Sequence, residues 1–137
     1  MALNKISKRS TLLLSDRVDI KPLSVNQAWQ GKRFKSPAYK EYIKELSPKL
    51  KIGNYDFGKN PLELFVRVGF SSSASDLDNV LKPFQDILSA HYKFNDKQIF
   101  RIIAEKELVP KGMEYIEYSI TRLEHPLILR VGESLFD

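Results

Sequence analysis

Leu62-Glu63-Leu64-Phe65-Val66-Arg67-Val68-Gly69-Phe70 runs into Ser71-Ser72-Ser73-Ala74-Ser75 and then Asp76-Leu77-Asp78-Asn79-Val80-Leu81-Lys82. The first nine residues alternate. Leu62, Leu64, Val66, Val68 and Phe70 share one face, while Glu63, Phe65 and Arg67 share the other, which predicts a half-buried strand. The serine-rich segment is a polar turn. Beyond it, Val80, Leu81, Phe84, Ile87 and Leu88 follow the spacing of one buried helical face, which predicts a helix over 78–90. Pro83 fits that helix only if it begins near Asp78, so that the ring falls at the end of the first turn.

Outward from this strand–helix unit the pattern repeats. Val18 to Leu23 alternates and stops at Pro22-Leu23, predicting a short strand, with residues 1–15 a loose tail or an edge strand. Residues 24–36 are polar, basic and aromatic and read as a loop. Ser36-Pro37 supplies an N-cap and a first-turn proline for a helix to about Leu46, with Tyr39, Tyr42, Ile43 and Leu46 on one face. Residues 50–61 are turn-rich. Segments 98–109 and 113–123 read as strands joined by Pro110-Lys111-Gly112 as a hairpin turn. Leu127-Ile128-Leu129 in the tail 124–137 offers a further edge strand or a partner contact. The order β-α-β-α-β-β predicts a single small domain of α+β (mixed α/β) class, a mixed sheet packed with two main helices.

The chain has 137 residues, enough for one domain with a core, and no cysteine, which excludes disulfides, thiolate zinc sites and cysteine nucleophiles. The apolar run Leu12-Leu13-Leu14 is too short for a signal-peptide core and nothing approaches a membrane span. The expectation is therefore a cytoplasmic protein. Net charge is +5, unevenly placed: residues 1–60 hold 13 Lys and Arg against 5 Asp and Glu, and residues 61–137 hold 9 against 12. A basic half suits phosphates, and the acidic half owns a carboxylate cluster.

That cluster is Asp76, Asp78 and Asp96, with Lys82 four residues after Asp78. If the chain is extended at Asp76 and Asp78, both carboxylates point the same way. Asp96 comes back toward them after one helix length. Three carboxylates repel unless a cation neutralises them, and hard oxygen donors suit Mg²⁺ or Mn²⁺. A Mg²⁺ site on a basic protein points to phosphodiester chemistry, with the ion activating water and Lys82 offsetting transition-state charge. Bland readings stand beside this one. Asp76 or Asp78 alone is an N-cap, Asp96 alone caps a turn, and Lys82 alone is a solvated i,i+4 partner. Asp86 falls on the same helical face as Lys82 and pairs with it at i,i+4, outside the inner set. Trp29 either stacks on a base or packs under the sheet. His91 and His125 carry no assignment.

Taken together, Asp76-Leu77-Asp78-Asn79, Lys82, Asp86 and Asn95-Asp96-Lys97-Gln98-Ile99 resemble the RusA family of Holliday-junction resolvases. Pro22-Leu23-Ser24-Val25-Asn26 is similar to that family's proline-serine-asparagine turn. The resemblance covers about residues 18–123, leaving 1–15 and 124–137 as extensions of a domain spanning 1–137. It implies a homodimeric, Mg²⁺-dependent endodeoxyribonuclease. Such enzymes nick opposing strands of a four-way DNA junction in recombination and repair, here in the cytoplasm of a bacterial or phage-infected cell. It assigns Asp76, Asp78 and Asp96 as metal-binding acids and Lys82 as the essential lysine. Asn95 departs from the family's paired acids, and Pro83 from the helix former expected after the lysine. Asn26, Lys32, Arg33, Lys35, Lys40 and Lys44 are the expected DNA contacts. A flap- or fork-directed nuclease, or an inactive junction-binding module, are the competing readings.

Overall fold

The structure is a computed structural model that describes residues 10–30 and 34–123. The elements in chain order are β1 (Ser10–Val18), α1 (Val25–Ala28), β2 (Trp29–Gln30), β3 (Phe34–Lys35), α2 (Pro37–Leu46), β4 (Leu62–Phe70), α3 (Leu77–Tyr92), β5 (Ile99–Leu108) and β6 (Tyr115–Leu123). Single 3-10 turns follow α2, at Ser47–Lys49, and precede β5, at Asp96–Gln98. The architecture is α+β, a mixed four-stranded sheet of order β1-β6-β4-β5 with the helices packed on it. β2 and β3 form a separate two-stranded ribbon.

The alternation that predicted β4 is what buries it: Leu62, Leu64, Val66, Val68 and Phe70 are all in the core, and Glu63, Phe65 and Arg67 are not. Ile116, Tyr118 and Ile120 of β6 stand opposite Val68, Val66 and Leu64 and continue the same apolar face. α3 lays Val80, Phe84, Ile87 and Leu88 onto this face, and α2 adds Tyr39, Tyr42 and Leu46. The opposite face carries ion pairs, among them Arg67 with Glu105 at 2.9 Å and with Glu117 at 3.2 Å. One close approach needs a glycine: Tyr115 lies across Gly69, where any Cβ would collide with its ring.

Several expectations are corrected. The first strand lies earlier than Val18–Leu23, at Ser10–Val18, as an edge strand antiparallel to β6. Ile20 and Leu23 are still buried, so their apolar spacing serves core packing without a ladder. Residues 24–36 are not all loop. Ser24 caps α1 with a capping box completed by Gln27, and the β2–β3 ribbon follows. Ser36 then caps α2 as expected: its hydroxyl accepts from the Tyr39 amide at 3.1 Å and donates to the Gln27 carbonyl.

The largest correction concerns the C-terminal strands. The 110–113 turn exists, closed by the Met113 amide to the Pro110 carbonyl at 2.9 Å. The strands it joins are not neighbours, however. β5 pairs parallel to β4, β6 pairs antiparallel to β4, and β4 lies between them. Turn chemistry marks where a chain reverses, not which strand it meets next. Pro83 also sits deeper than expected. α3 starts at Leu77, so the proline lies in its second turn, with its ring fully buried. Burial of that ring offsets the hydrogen bond its missing N–H forgoes.

Candidate active site

β4 ends at Phe70 and the chain crosses to α3 through residues 71–75. That crossing is anchored from β5: the Lys106 ammonium donates to the Ser73 carbonyl at 2.9 Å and to the Ser75 carbonyl at 2.5 Å. Nothing local in the sequence marks Lys106, although strand alternation puts it on the helix-bearing face with Ile102 and Ala104.

Asp76 is the cap residue of α3 (φ −96°, ψ 125°), yet its side chain makes no capping hydrogen bond. Its carboxylate instead accepts from the side-chain Nδ2 of Asn79 at 3.3 Å. The simple N-cap account of Asp76 is therefore not what the side chain does. The helix begins at Leu77, so Asp78 is in the first helical turn and the extended i,i+2 pairing with Asp76 does not form. Leu77 packs on the core, and that contact draws it into the helix. Both aspartates are exposed. Negative charge in a first turn is favourable against the helix dipole.

One turn on, Lys82 donates to Asp86 at 2.8 Å, as the i,i+4 spacing predicts. Its ammonium also lies 3.8 Å from Asp96, which reaches it from the 3-10 turn before β5. The hydrogen bond to Asp86 holds the Lys82 pKa above the ordinary lysine value, and the charges of Asp86 and Asp96 add to it against slight burial. Asn95 caps the turn, accepting from the Lys97 amide at 2.9 Å. Asp96 is thus left without a capping task, and its nearest charged partner is Lys82.

The structure joins Lys82, Asp86 and Asp96 directly. It does not join Asp76 and Asp78 to Asp96: the parallel pairing of β4 and β5 puts the former past the end of β4 and the latter before the start of β5. Among the described residues no three acidic or histidine side chains stand close enough together to hold a metal ion. In kind the donors suit a hard divalent cation, being carboxylate oxygens open to water. In placement one chain alone does not gather them.

A cavity of about 420 Å³ opens beside Asp76, walled by Lys21, Ser24 and Gln27 on one side and Ser71 and Ser75 on the other. The proline-containing turn before α1 therefore faces the acidic loop. Glu114 closes the rim, and the hydroxyl of Ser71, bonded at 2.7 Å, holds its carboxyl below the usual range. A second cavity of about 440 Å³ lies between the β2–β3 ribbon, α2 and α3, with Trp29, Lys35, Tyr39, Asp86 and His91 among its walls. Trp29 is half-exposed and meets Tyr39 edge-on at 5.6 Å, so it is not packed under the sheet. Burial, with Asp86 adding, pushes the Tyr39 hydroxyl up to about 12.

Of the expected DNA contacts, Lys35, Lys40 and Lys44 are exposed, the last two one turn apart on α2. Asn26 is exposed in α1. Lys32 and Arg33 lie outside the described residues, as do His125 and the tail 124–137.

An α+β domain that lines carboxylates and a paired lysine along one helix, beside exposed lysines, has the makings of a phosphodiester-cleaving protein. The chain belongs to the endodeoxyribonuclease RusA family, whose model matches residues 23–117. No curated protein matches the chain. No helix among the described residues is long and apolar enough to cross a membrane.

Proposed function

We propose that this protein is a Mg²⁺-dependent, structure-selective DNA endonuclease. In this reading it resolves four-way junctions by paired symmetric nicks during recombination and repair, as a cytoplasmic homodimer built on one domain. The observation that carries the reading is the line Asp78, Lys82, Asp86 along α3, with Asp96 meeting it at Lys82, in a chain of the RusA family. Two opposing nicks in a nearly two-fold substrate call for two sites related by a two-fold axis.

Asp76 and Asp78, with Asp96 drawn nearer to them than one chain places it, would hold the cation. Its chemistry, when bound, is that of a Lewis acid that makes water a better nucleophile and offsets phosphate charge; Mn²⁺ would serve as well. Lys82 keeps its proton, because Asp86 holds its pKa high, and so presents a fixed positive charge to the scissile phosphate or the departing oxygen. Asp86 orients it. Lys35, Lys40 and Lys44, with Lys32, Arg33 and Asn26, would contact backbone phosphates, positioning the junction without reading its sequence.

Cleavage of a labelled synthetic four-way junction in Mg²⁺, beside matched duplex and flap substrates, tests this. Paired nicks on the junction alone are expected. Cutting of flaps but not junctions would make the protein a nuclease of different preference. Tight junction binding without cutting in Mg²⁺ or Mn²⁺ would leave a binding module. Within the expected outcome, Lys82→Ala should cut roughly 10²-fold more slowly with little change in the metal concentration needed for half-maximal rate. A shift in that concentration instead would place Lys82 among the groups that organise the ion.

A further inference from the structure

The crossing from β4 to α3 has no apolar anchor of its own. Residues 71–74 are Ser, Ser, Ser and Ala, all exposed, and none of residues 71–76 is buried. A turn shapes the crossing from within: the Ala74 amide donates to the Ser72 hydroxyl at 3.2 Å, and the Ser75 amide to the Ser72 carbonyl at 3.3 Å. A segment with so few buried contacts keeps its place through what ties it from outside. Two side chains do so. Glu114, just before β6, accepts from the Ser71 hydroxyl at 2.7 Å and pins the start. Lys106 reaches over from β5 and pins the end.

The surroundings of the Lys106 ammonium are those of a tie. It donates to the Ser73 carbonyl at 2.9 Å and to the Ser75 carbonyl at 2.5 Å, and it lies 5.5 Å from the centroid of the Phe70 ring. None of these three is an acid. Phe70 is the last residue of β4 and only 4% exposed, so the ammonium joins a rigid strand end to the crossing that follows it. Charge-assisted hydrogen bonds beside an aromatic face define a geometry that a solvated lysine lacks. The flanking Glu105 and Glu107 are engaged elsewhere, with Arg67 and with the Tyr115 hydroxyl.

We propose that Lys106 is a positioning residue for the acidic site: its ammonium fixes the backbone from which Asp76 and Asp78 stand. The proposal rests on the nuclease reading above for its purpose, but not for the tie itself. The Ser75 carbonyl and the Asp76 nitrogen belong to one planar peptide unit. Holding that carbonyl therefore holds the approach to Asp76, whose side chain makes no capping bond of its own. Beyond Asp76 the helix takes over, with Leu77 on the core and Asp78 in the first turn. Lys106 thus sets where the Asp76 carboxylate stands relative to that of Asp78, without touching cation or DNA. Groups that orient metal ligands in this way are worth roughly 10- to 100-fold in metal affinity or activity.

Lys106→Met tests this, because it keeps the apolar stem and removes the donors. The freed carbonyls are open to water, so the thermal midpoint should stay near wild type. In metal-free protein, the backbone order parameters of residues 72–76 should fall from about 0.85 toward about 0.6, with β4 and α3 unchanged. Calorimetric titration should show Mn²⁺ affinity weakened by about 10-fold or more. Junction binding without metal should keep its salt dependence. The chain has no cysteine, so Lys106→Cys carries a single thiol, which 2-bromoethylamine converts to a lysine analogue. That ammonium, restored at nearly the same reach, should recover both the ordered crossing and the Mn²⁺ affinity.

Unchanged order parameters in Lys106→Met would overturn the inference. So would a loosened crossing with Mn²⁺ affinity intact, since the tie would then not serve the site. Weaker junction binding with a shallower salt slope, and no change in the crossing, would make Lys106 a phosphate contact instead. A wild type that binds no Mn²⁺, yet whose crossing loosens on loss of Lys106, would leave the tie standing and count against the nuclease reading alone.

Discussion

Asp78→Asn is expected to abolish junction cleavage, by on the order of 10³-fold or about 4 kcal/mol of barrier, while junction binding is retained or tightened. The substitution is nearly isosteric and removes one negative charge from a surface that faces phosphate. Asp78 is exposed and makes no core contact, so the fold has little to lose. The loss it does bring is favourable interaction with the α3 dipole, about 0.3–1 kcal/mol. Thermal denaturation should therefore shift by only a few degrees, and that readout separates chemistry from folding. If binding falls together with cutting and the midpoint drops sharply, Asp78 is a helix-stabilising residue and the carboxylate assignment fails at its centre. The matching Asp86→Asn should behave differently. Asp86 reaches chemistry only through Lys82, so a partial loss that follows Lys82→Ala is its signature.

Much of this was readable in the chain because local signals and tertiary demands coincide. β4 alternates because one face is buried, and α3 shows helical spacing because one stripe is buried; neither needs knowledge of a partner strand. The Lys82–Asp86 pair follows from helix geometry alone. What escaped was information carried at long range. Pro110-Lys111-Gly112 announces a reversal equally well whether β6 returns beside β5 or crosses β4 to its far side, and it crosses. Nothing local distinguishes the two.

The carboxylates show the same limit. Sequence spacing placed Asp96 one helix length from Asp78, which suggested convergence. A helix that runs back along parallel strands separates its own two ends, and a side chain as long as Lys82 bridges only part of that distance. The β5 edge was equally hidden, because its residues resemble those of an interior strand until the strand order is known. Lys106 escaped for a related reason. A lone lysine in a strand has no signal until the 71–75 crossing is seen folded over its ammonium.

Phe84→Ala should destabilise the fold by about 3–5 kcal/mol, lowering the thermal midpoint by more than ~10 °C. Phe84 is 1% exposed and meets Tyr118 edge-to-face, with ring centroids 5.4 Å apart at 69°. The cavity left by the ring has no easy way to close. Tyr118 cannot swing into it freely, because its hydroxyl is tied to that of Tyr92 at 3.0 Å, and Tyr92 in turn donates to the Lys51 carbonyl at 2.8 Å. Burial, together with the Tyr92 hydrogen bond, also pushes the Tyr118 pKa well up, so the network stays neutral and intact through ordinary pH. On the helix side, buried Pro83 adjoins the site and limits how far α3 can settle. Since α3 carries Asp78, Lys82 and Asp86 on its exposed side, loosening its buried side should also cost cleavage, but only as temperature approaches the lowered midpoint. Chemical denaturation and cleavage measured at two temperatures check both halves. A variant that loses less than 1 kcal/mol would mean the core relaxes around α3, and the helix would then be a less rigid platform for the site than its packing implies.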